Sequence, residues 1–288
     1  MKKWFLFVLI PLLLLHSCTE NIDLTIIGGG NKVVIEGSIE NGKPAEVIVT
    51  RNSPVSKPVK LNNILILDAQ VSISNGSSTE TLTLMIDSAS SIPLVYKGST
   101  IIGVAGQSYT LTVVADGQTN YAVTTIPQPI ALDSVWWKAD PPHDSLGYAW
   151  ARFTDPSGIG NAYRWFAKRP KKDRRYLAPL GATFDDKFID GKNIDIFNLR
   201  GIDPTSTSDE DKETKEDRFY YKKTDTIYIK FCTIDYATLR FYETYETALQ
   251  SNGNPFASPT SIQSNIKGGG LGIWAGFGAT FDTIMPKP

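Results

Sequence analysis

Histidine, cysteine and the acids bound the chemistry open to these 288 residues. Beyond His16 the sole histidine is His143, in the turn-rich stretch Pro141-Pro142-His143-Asp144-Ser145. That excludes a paired-histidine metal site such as His-Glu-x-x-His, and any histidine-based triad would hang on one side chain. A solvated loop histidine is the plainer reading. There is no Gly-x-Ser-x-Gly, and the glycine triplets at 28–30 and 268–270 lack the Lys-Ser/Thr of a phosphate loop. Asp185, Asp186 and Asp190 offer acids for glycoside hydrolysis, or a turn in which Asp186 or Asp190 fixes backbone. Asp155-Pro156-Ser157-Gly158 with Asn161 offers oxygen ligands to calcium, but its acid density falls below that of an EF-hand loop and favours a turn. No constellation commits to a catalytic residue, a metal or a cofactor, so the expectation is a protein that is not an enzyme.

Cys18 carries a different chemistry. Lys2 and Lys3 precede an unbroken apolar run, Trp4 to Leu15, of 12 residues that contains Pro11. A spanning helix needs about 20 apolar residues, so the run is too short to cross a bilayer. With Ser17 just before Cys18, residues 1–17 read as a secretory signal, and the closing cysteine resembles that of a bacterial lipoprotein. Cleavage before Cys18 would leave its thiol and new amine to be acylated, as with palmitate. One acyl chain is marginal at ~0.8 kcal/mol per buried methylene, whereas diacylglyceryl plus an amide-linked chain anchors the protein without spanning. Glu20 and Asp23, close behind the cysteine, point to the outer membrane and its exterior face. Lipidation of Cys18 leaves Cys232 no disulfide partner, and its apolar surroundings at 227–234 mark it as a buried small hydrophobe. Without Lys2 and Lys3, 27 of the 29 basic residues stand against 30 acidic ones, a net charge of about −3. That balance gives no electrostatic reason to bind nucleic acid.

Aromatic residues are the remaining signal. Five tryptophans lie beyond the signal: Trp136, Trp137, Trp150, Trp165 and Trp274. Exposed rings of this size serve ligand or protein contact because they bury large area at low entropy cost. Trp136, Trp137, Trp150 and Trp165 are therefore the ligand-binding candidates; a β-rich core is the competing use of each.

These residues sit in a pattern of short alternating runs. After a leash at 18–31, with its flexible glycine triplet, strands are expected at 33–39, 46–50, 69–74, 81–86, 108–115 and 121–126. Asn41-Gly42, Asn75-Gly76 and Asp116-Gly117 supply hairpin turns, the last being the clearest. Residues 32–127 thus read as an immunoglobulin-like β-sandwich. Residues 128–288 read as a second β-rich domain. In it, 148–155 and 161–168 are expected to pair around the turn at 156–160. Tyr148, Trp150 and Arg152 share one face of the first run. Residues 168–175 and 205–217 read as a basic and an acidic solvated loop. One helix is expected near 235–251, capped by Asp235, with Leu239, Tyr242, Tyr245 or Glu246, and Leu249 at helical spacing and Asn252-Gly253 and Pro255 ending it.

Taken in order, several stretches resemble one family. They are Val33-Val34-Ile35-Glu36-Gly37 with Asn41-Gly42-Lys43-Pro44-Ala45, Gly106-Gln107-Ser108-Tyr109-Thr110-Leu111, and Ile126-Pro127-Gln128-Pro129-Ile130. Phe153-Thr154-Asp155-Pro156 with Asn161-Ala162-Tyr163-Arg164, and Asp186-Lys187-Phe188-Ile189-Asp190-Gly191-Lys192, follow. Asn254-Pro255-Phe256-Ala257-Ser258-Pro259 and Asn265-Ile266-Lys267-Gly268-Gly269-Gly270-Leu271-Gly272 close the series. Over nearly the whole mature chain this resembles the surface lipoproteins catalogued as domain of unknown function 4249. The resemblance implies an outer-membrane lipoprotein whose partner is a TonB-dependent nutrient transporter, which it would assist by binding substrate or covering the extracellular face. It implies no reaction and no catalytic residue; Cys18 alone transfers as a functional position. A surface hydrolase acting on glycan or peptide, and a structural or adhesive module, are the alternatives.

Overall fold

The structure, a computed structural model, describes residues 31–53, 60–203, 217–251 and 260–285. The expected signal, Cys18, the leash up to residue 30, the loop at 205–216 and the helix stop at Asn252-Gly253 and Pro255 lie outside the described residues.

Period-two burial builds the first strands. In β1 (Val33–Glu40), Val33, Ile35 and Ile39 turn into the core, while Glu36 and Ser38 turn away. In chain order β2 (Pro44–Arg51), β3 (Gln70–Ser74), β4 (Thr79–Thr81), β5 (Thr83–Ile86), β6 (Leu94–Ile102), β7 (Ser108–Ala115) and β8 (Gln118–Thr125) follow. Next come β9 (Ser134–Ala139), β10 (Leu146–Thr154), β11 (Ala162–Lys168), β12 (Thr183–Asp185), β13 (Asn193–Asn198) and β14 (Tyr221–Lys222). The series ends with β15 (Ile227–Ile234), the helix Tyr236–Ser251 and β16 (Leu271–Ile284). The chain is mainly β, as the sequence indicates.

The strands form one eight-stranded sheet, ordered β12-β11-β15-β16-β1-β2-β6-β5, and two four-stranded sheets. One small sheet, β4-β3-β7-β8, closes a core against the β1 end of the large sheet through Val71, Tyr109, Leu111 and Trp274. The other small sheet joins β13, β10 and β14, with β9 also on β10. It closes a second core against β11 and β15 through Phe153, Tyr163, Trp165 and Phe231. Along β16, Trp274 belongs to the first core and Ile284 to the second, and an even number of residues separates them. Both small sheets therefore lie on the same face of the large one. The opposite face, with Ile273, Ala275 and Phe277, carries the helix through Leu239 and Tyr242.

β16 makes this arrangement possible. It runs parallel to β1 from Val34↔Leu271 to Glu40↔Phe277, then antiparallel to β15 from Ile234↔Phe277 to Ile227↔Ile284. The division expected at residue 127 is bridged by this strand, and residues 31–288 cluster as one unit. The linker after β8 lies directly on it. A Cβ at Gly276 would sit 2.5 Å from the Thr125 carbonyl oxygen, and one at Gly278 2.3 Å from that of Pro127. Where a neighbouring strand is missing, side-chain amides substitute. Asn265 donates to the Trp274 carbonyl at 2.8 Å and accepts its N–H at 2.9 Å. Asn41 does the same for Ala279.

Local turn chemistry is obeyed at the β7–β8 hairpin, where Asp116 (φ 51°) and Gly117 (φ 73°) join Ala115 to Gln118. The helix starts as read, with Asp235 accepting the Thr238 N–H at 2.8 Å. In its second half Glu246 turns onto Arg164 at 3.3 Å and the Gly181 N–H at 2.8 Å, while Tyr245 and Leu249 are exposed. Three expectations are corrected. The run at 81–86 splits at buried Leu82, so β4 joins a small sheet and β5 the large one. β10 and β11 do not pair: β10 bonds β9, β13 and β14, whereas β11 bonds β12 and β15. The chain crosses between layers instead, and Phe153 meets Tyr163 face to edge at 5.1 Å. The basic run at 168–175 is not simply solvated. Arg169 is buried on Asp173 at 2.7 Å, and Arg175 holds buried Asp203 at 3.0 Å. Cys232 is fully buried as expected, and burial pushes its thiol up to about 12.

Replacing Asn265 with Ala leaves both Trp274 main-chain groups without their partner. The expected loss is about 2 kcal/mol, read as a lower denaturant midpoint. One cooperative transition should persist, since the shared strand couples both cores.

Candidate functional site

β9, β10 and β13 lie side by side, so alternation sets three outward rows in register. Trp136, Trp150 and Phe197 form the middle row, because Trp150 pairs with Trp136 on one side and Phe197 on the other. Arg152 pairs likewise with Ser134 and Asp195, and Tyr148 with Lys138. The inward residues Ala149, Ala151 and Phe153 fill the core beneath, which fixes the outward set.

The outward rings make a continuous band. Trp136 and Trp150 stack at 6.0 Å between centroids with 19° between planes, and Trp150 meets Phe197 at 4.9 Å. Tyr148 lies 5.1 Å from both Phe197 and Tyr220, and Tyr220 lies 5.8 Å from His143. Phe197, on the edge strand β13, is 49% exposed, a large apolar side chain left in water. Charged groups edge the band. Lys138 Nζ stands 5.0 Å over the Trp150 ring. Arg152 makes a two-pronged bond to Asp195, at 2.6 and 2.8 Å. Asp140 accepts the hydroxyls of Tyr148 and Tyr220, each at 2.9 Å. Burial, then the bonds with Tyr220 and Asp140, push the Tyr148 phenol well above its ordinary value. The Tyr148 hydroxyl therefore stays protonated at any physiological pH and acts as a donor.

Of the four tryptophans singled out by sequence, Trp136 and Trp150 meet on this face. Trp137 points the other way and donates its indole N–H to the Tyr221 carbonyl at 3.1 Å. Trp165 is wholly buried among Tyr163, Phe231 and Ile229. Adjacent residues on a strand cannot share a face, so Trp136 and Trp137 had to part. Phe197, Tyr148, Tyr220, Lys138 and Arg152 complete the band, though none of them is a ligand-binding candidate from sequence alone. The outward alternation Asn193, Asp195, Phe197 was the available signal, but it reveals a site only once β13 is known to flank β10. His143 ends the band as an exposed loop residue.

The acids cluster elsewhere. Carboxylate oxygens of Asp155, Asp186 and Asp190 come within 4.8 Å of one another, where the β10–β11 crossing meets the loop between β12 and β13. A hard cation is the metal such oxygens would hold. Each acid already has donors: Gly191 N–H and the Tyr163 hydroxyl on Asp155, Gly160 and Asn161 N–H on Asp186, and Gly158 N–H on Asp190. The cluster thus staples two loops, the backbone-fixing use read from sequence for Asp186 and Asp190. Asp185 stands apart from it, accepting the Lys187 N–H at 3.3 Å.

Comparison with known proteins adds one identification. Residues 19–280 match the family described as Domain of unknown function (DUF4249). No curated protein matches.

Asp186→Ala removes a buried carboxylate that accepts the part-buried N–H groups of Gly160 and Asn161. The expected cost is about 2–3 kcal/mol, measured by thermal or denaturant unfolding. Asp185→Ala should cost less than about 0.5 kcal/mol, as a surface change does.

Proposed function

We propose, from the premise that the chain belongs to the DUF4249 family, that it is a non-enzymatic surface lipoprotein that binds a ligand on its aromatic face. Cys18 would tether it to the outer membrane, facing the exterior, with residues 19–31 as leash. A TonB-dependent transporter is the partner this reading assigns, and its basis is the family resemblance carried by the motifs between Val33 and Gly272.

The observation that carries the reading is the row Trp136, Trp150, Phe197 on the outer face of a rigid sheet, Phe197 exposed and the two indoles half-buried, edged by Lys138, Arg152 and Asp195. Flat rings in register favour a ligand with flat apolar faces and a polar rim. An oligosaccharide has that chemistry, since its C–H faces can stack on indole while its hydroxyls reach the flanking charges. Strand-borne rings are held by the core beneath, so little order is lost on binding.

Intrinsic fluorescence of the full-length chain in mild detergent should change on titration with an oligosaccharide panel. Phe197→Ala and Trp136→Ala should each weaken the response at least tenfold while leaving the fold intact. Binding unaffected by both changes would remove the aromatic face from the reading, and turnover of the panel would favour a hydrolase. Purification from native membranes should recover a TonB-dependent transporter; recovery of the lipoprotein alone would count against that partner.

A further inference from the structure

The face of the large sheet that carries the helix holds a second concavity. β1 turns Glu36 outward between its cross-strand partners Ile48 and Ile273. A cleft of about 270 Å³ opens over it, walled by Phe166, Tyr242 and Phe277. That volume suits a small molecule rather than a chain segment of any length.

The charges around the cleft are matched, with one exception. Lys230 bonds Glu40 at 2.8 Å, and Arg175 bonds Asp203 at 3.0 Å. Lys97 bridges Glu46 at 2.9 Å and Asp87 at 2.6 Å. Arg164, packed 3.5 Å from the Tyr242 ring, is held by Glu246 at 3.3 Å. Glu36 faces the cleft, and among the described residues no donor or cation engages its carboxylate. Glu36 is open to the water of the cleft, and partial desolvation by the walls pushes its carboxyl above its ordinary value, against the pull of Arg175 and Arg164. An accessible, unpaired carboxylate therefore stands among the aromatic walls, free to pair with a cationic group that enters the cleft.

We propose that the cleft over Glu36 is a binding site for a small organic amine, whose ammonium pairs with the Glu36 carboxylate. The rings of Phe166, Tyr242 and Phe277 receive the amine's apolar part. A neutral hydroxyl of the same shape leaves the carboxylate uncompensated, so charge and not shape is the determinant.

The test uses the full-length chain in detergent, with benzylamine as probe and benzyl alcohol as its neutral counterpart, followed by calorimetry or NMR. Benzylamine should bind, and benzyl alcohol should bind at least tenfold more weakly. Glu36→Gln should abolish the difference between them. The same variant should melt level with the parent, because Glu36 is exposed to solvent, so an unchanged melting temperature separates lost binding from lost folding. Equal binding of both probes, no binding of benzylamine, or undiminished amine preference in Glu36→Gln would overturn the proposal.

Discussion

β16 is a strand shared between two neighbours, and the architecture depends on that sharing. At Phe277 it pairs with Glu40 of β1 and Ile234 of β15 at once, then passes from one to the other. Each handover leaves a stretch of strand with one edge bare. A buried bare edge would cost free energy comparable to several lost hydrogen bonds, so the gaps must be filled. Asn265 and Asn41 fill them with side-chain amides that copy the donor and acceptor of a main-chain neighbour. The glycines at 276 and 278 meet the other demand, letting the 125–129 linker cross the strand at backbone distance. Polar patching and absent side chains together convert two sandwiches into one continuous sheet.

This explains which parts of the fold were legible in the sequence. The β7–β8 hairpin and the start of the helix are specified by residues a few positions apart: Asp116-Gly117 in one case, Asp235 with Thr238 in the other. The β10–β11 crossing is not. A proline and two glycines between alternating runs satisfy a hairpin and an arch equally. Here the acids Asp186 and Asp190, some thirty residues on, hold the crossing open through Gly158, Gly160 and Asn161. β6 escaped notice for a related reason: its centre, Lys97-Gly98-Ser99-Thr100, lacks apolar alternation. Gly98 and Ser99 lie beside Glu80, which accepts the N–H groups of Ser99, Thr100 and Ile101. Long-range pairings of this kind are also slow to form, since loop-closure entropy precedes their reward.

The candidate sites follow the same logic. Trp136 and Trp150 could be named from composition, but their separation from Trp137 and Trp165 needed strand parity, and their junction with Phe197 needed strand order. Glu36 was visible only as part of a motif. Its outward direction follows from alternation with Ile35 and Gly37, yet nothing nearby in sequence announces that Tyr242, Phe166 and Phe277 will surround it.

The two concentrations of unusual chemistry lie on opposite sides of the layered stack. The aromatic band faces outward from a small sheet, and the Glu36 cleft opens on the helix-bearing face of the large one. They violate different rules: the first leaves apolar rings in water, the second leaves a carboxylate without a partner. Folding alone rewards neither, because the rings would stabilise more if covered and an unpaired, accessible acid contributes no contact of its own. Elsewhere around the cleft the same chain matches its charges closely, as with Lys97 between two acids and Lys230 on Glu40. A sequence that pairs its charges around the cleft and leaves one accessible acid there, with a band of rings on the far side, is most economically read as reserving those places for other molecules.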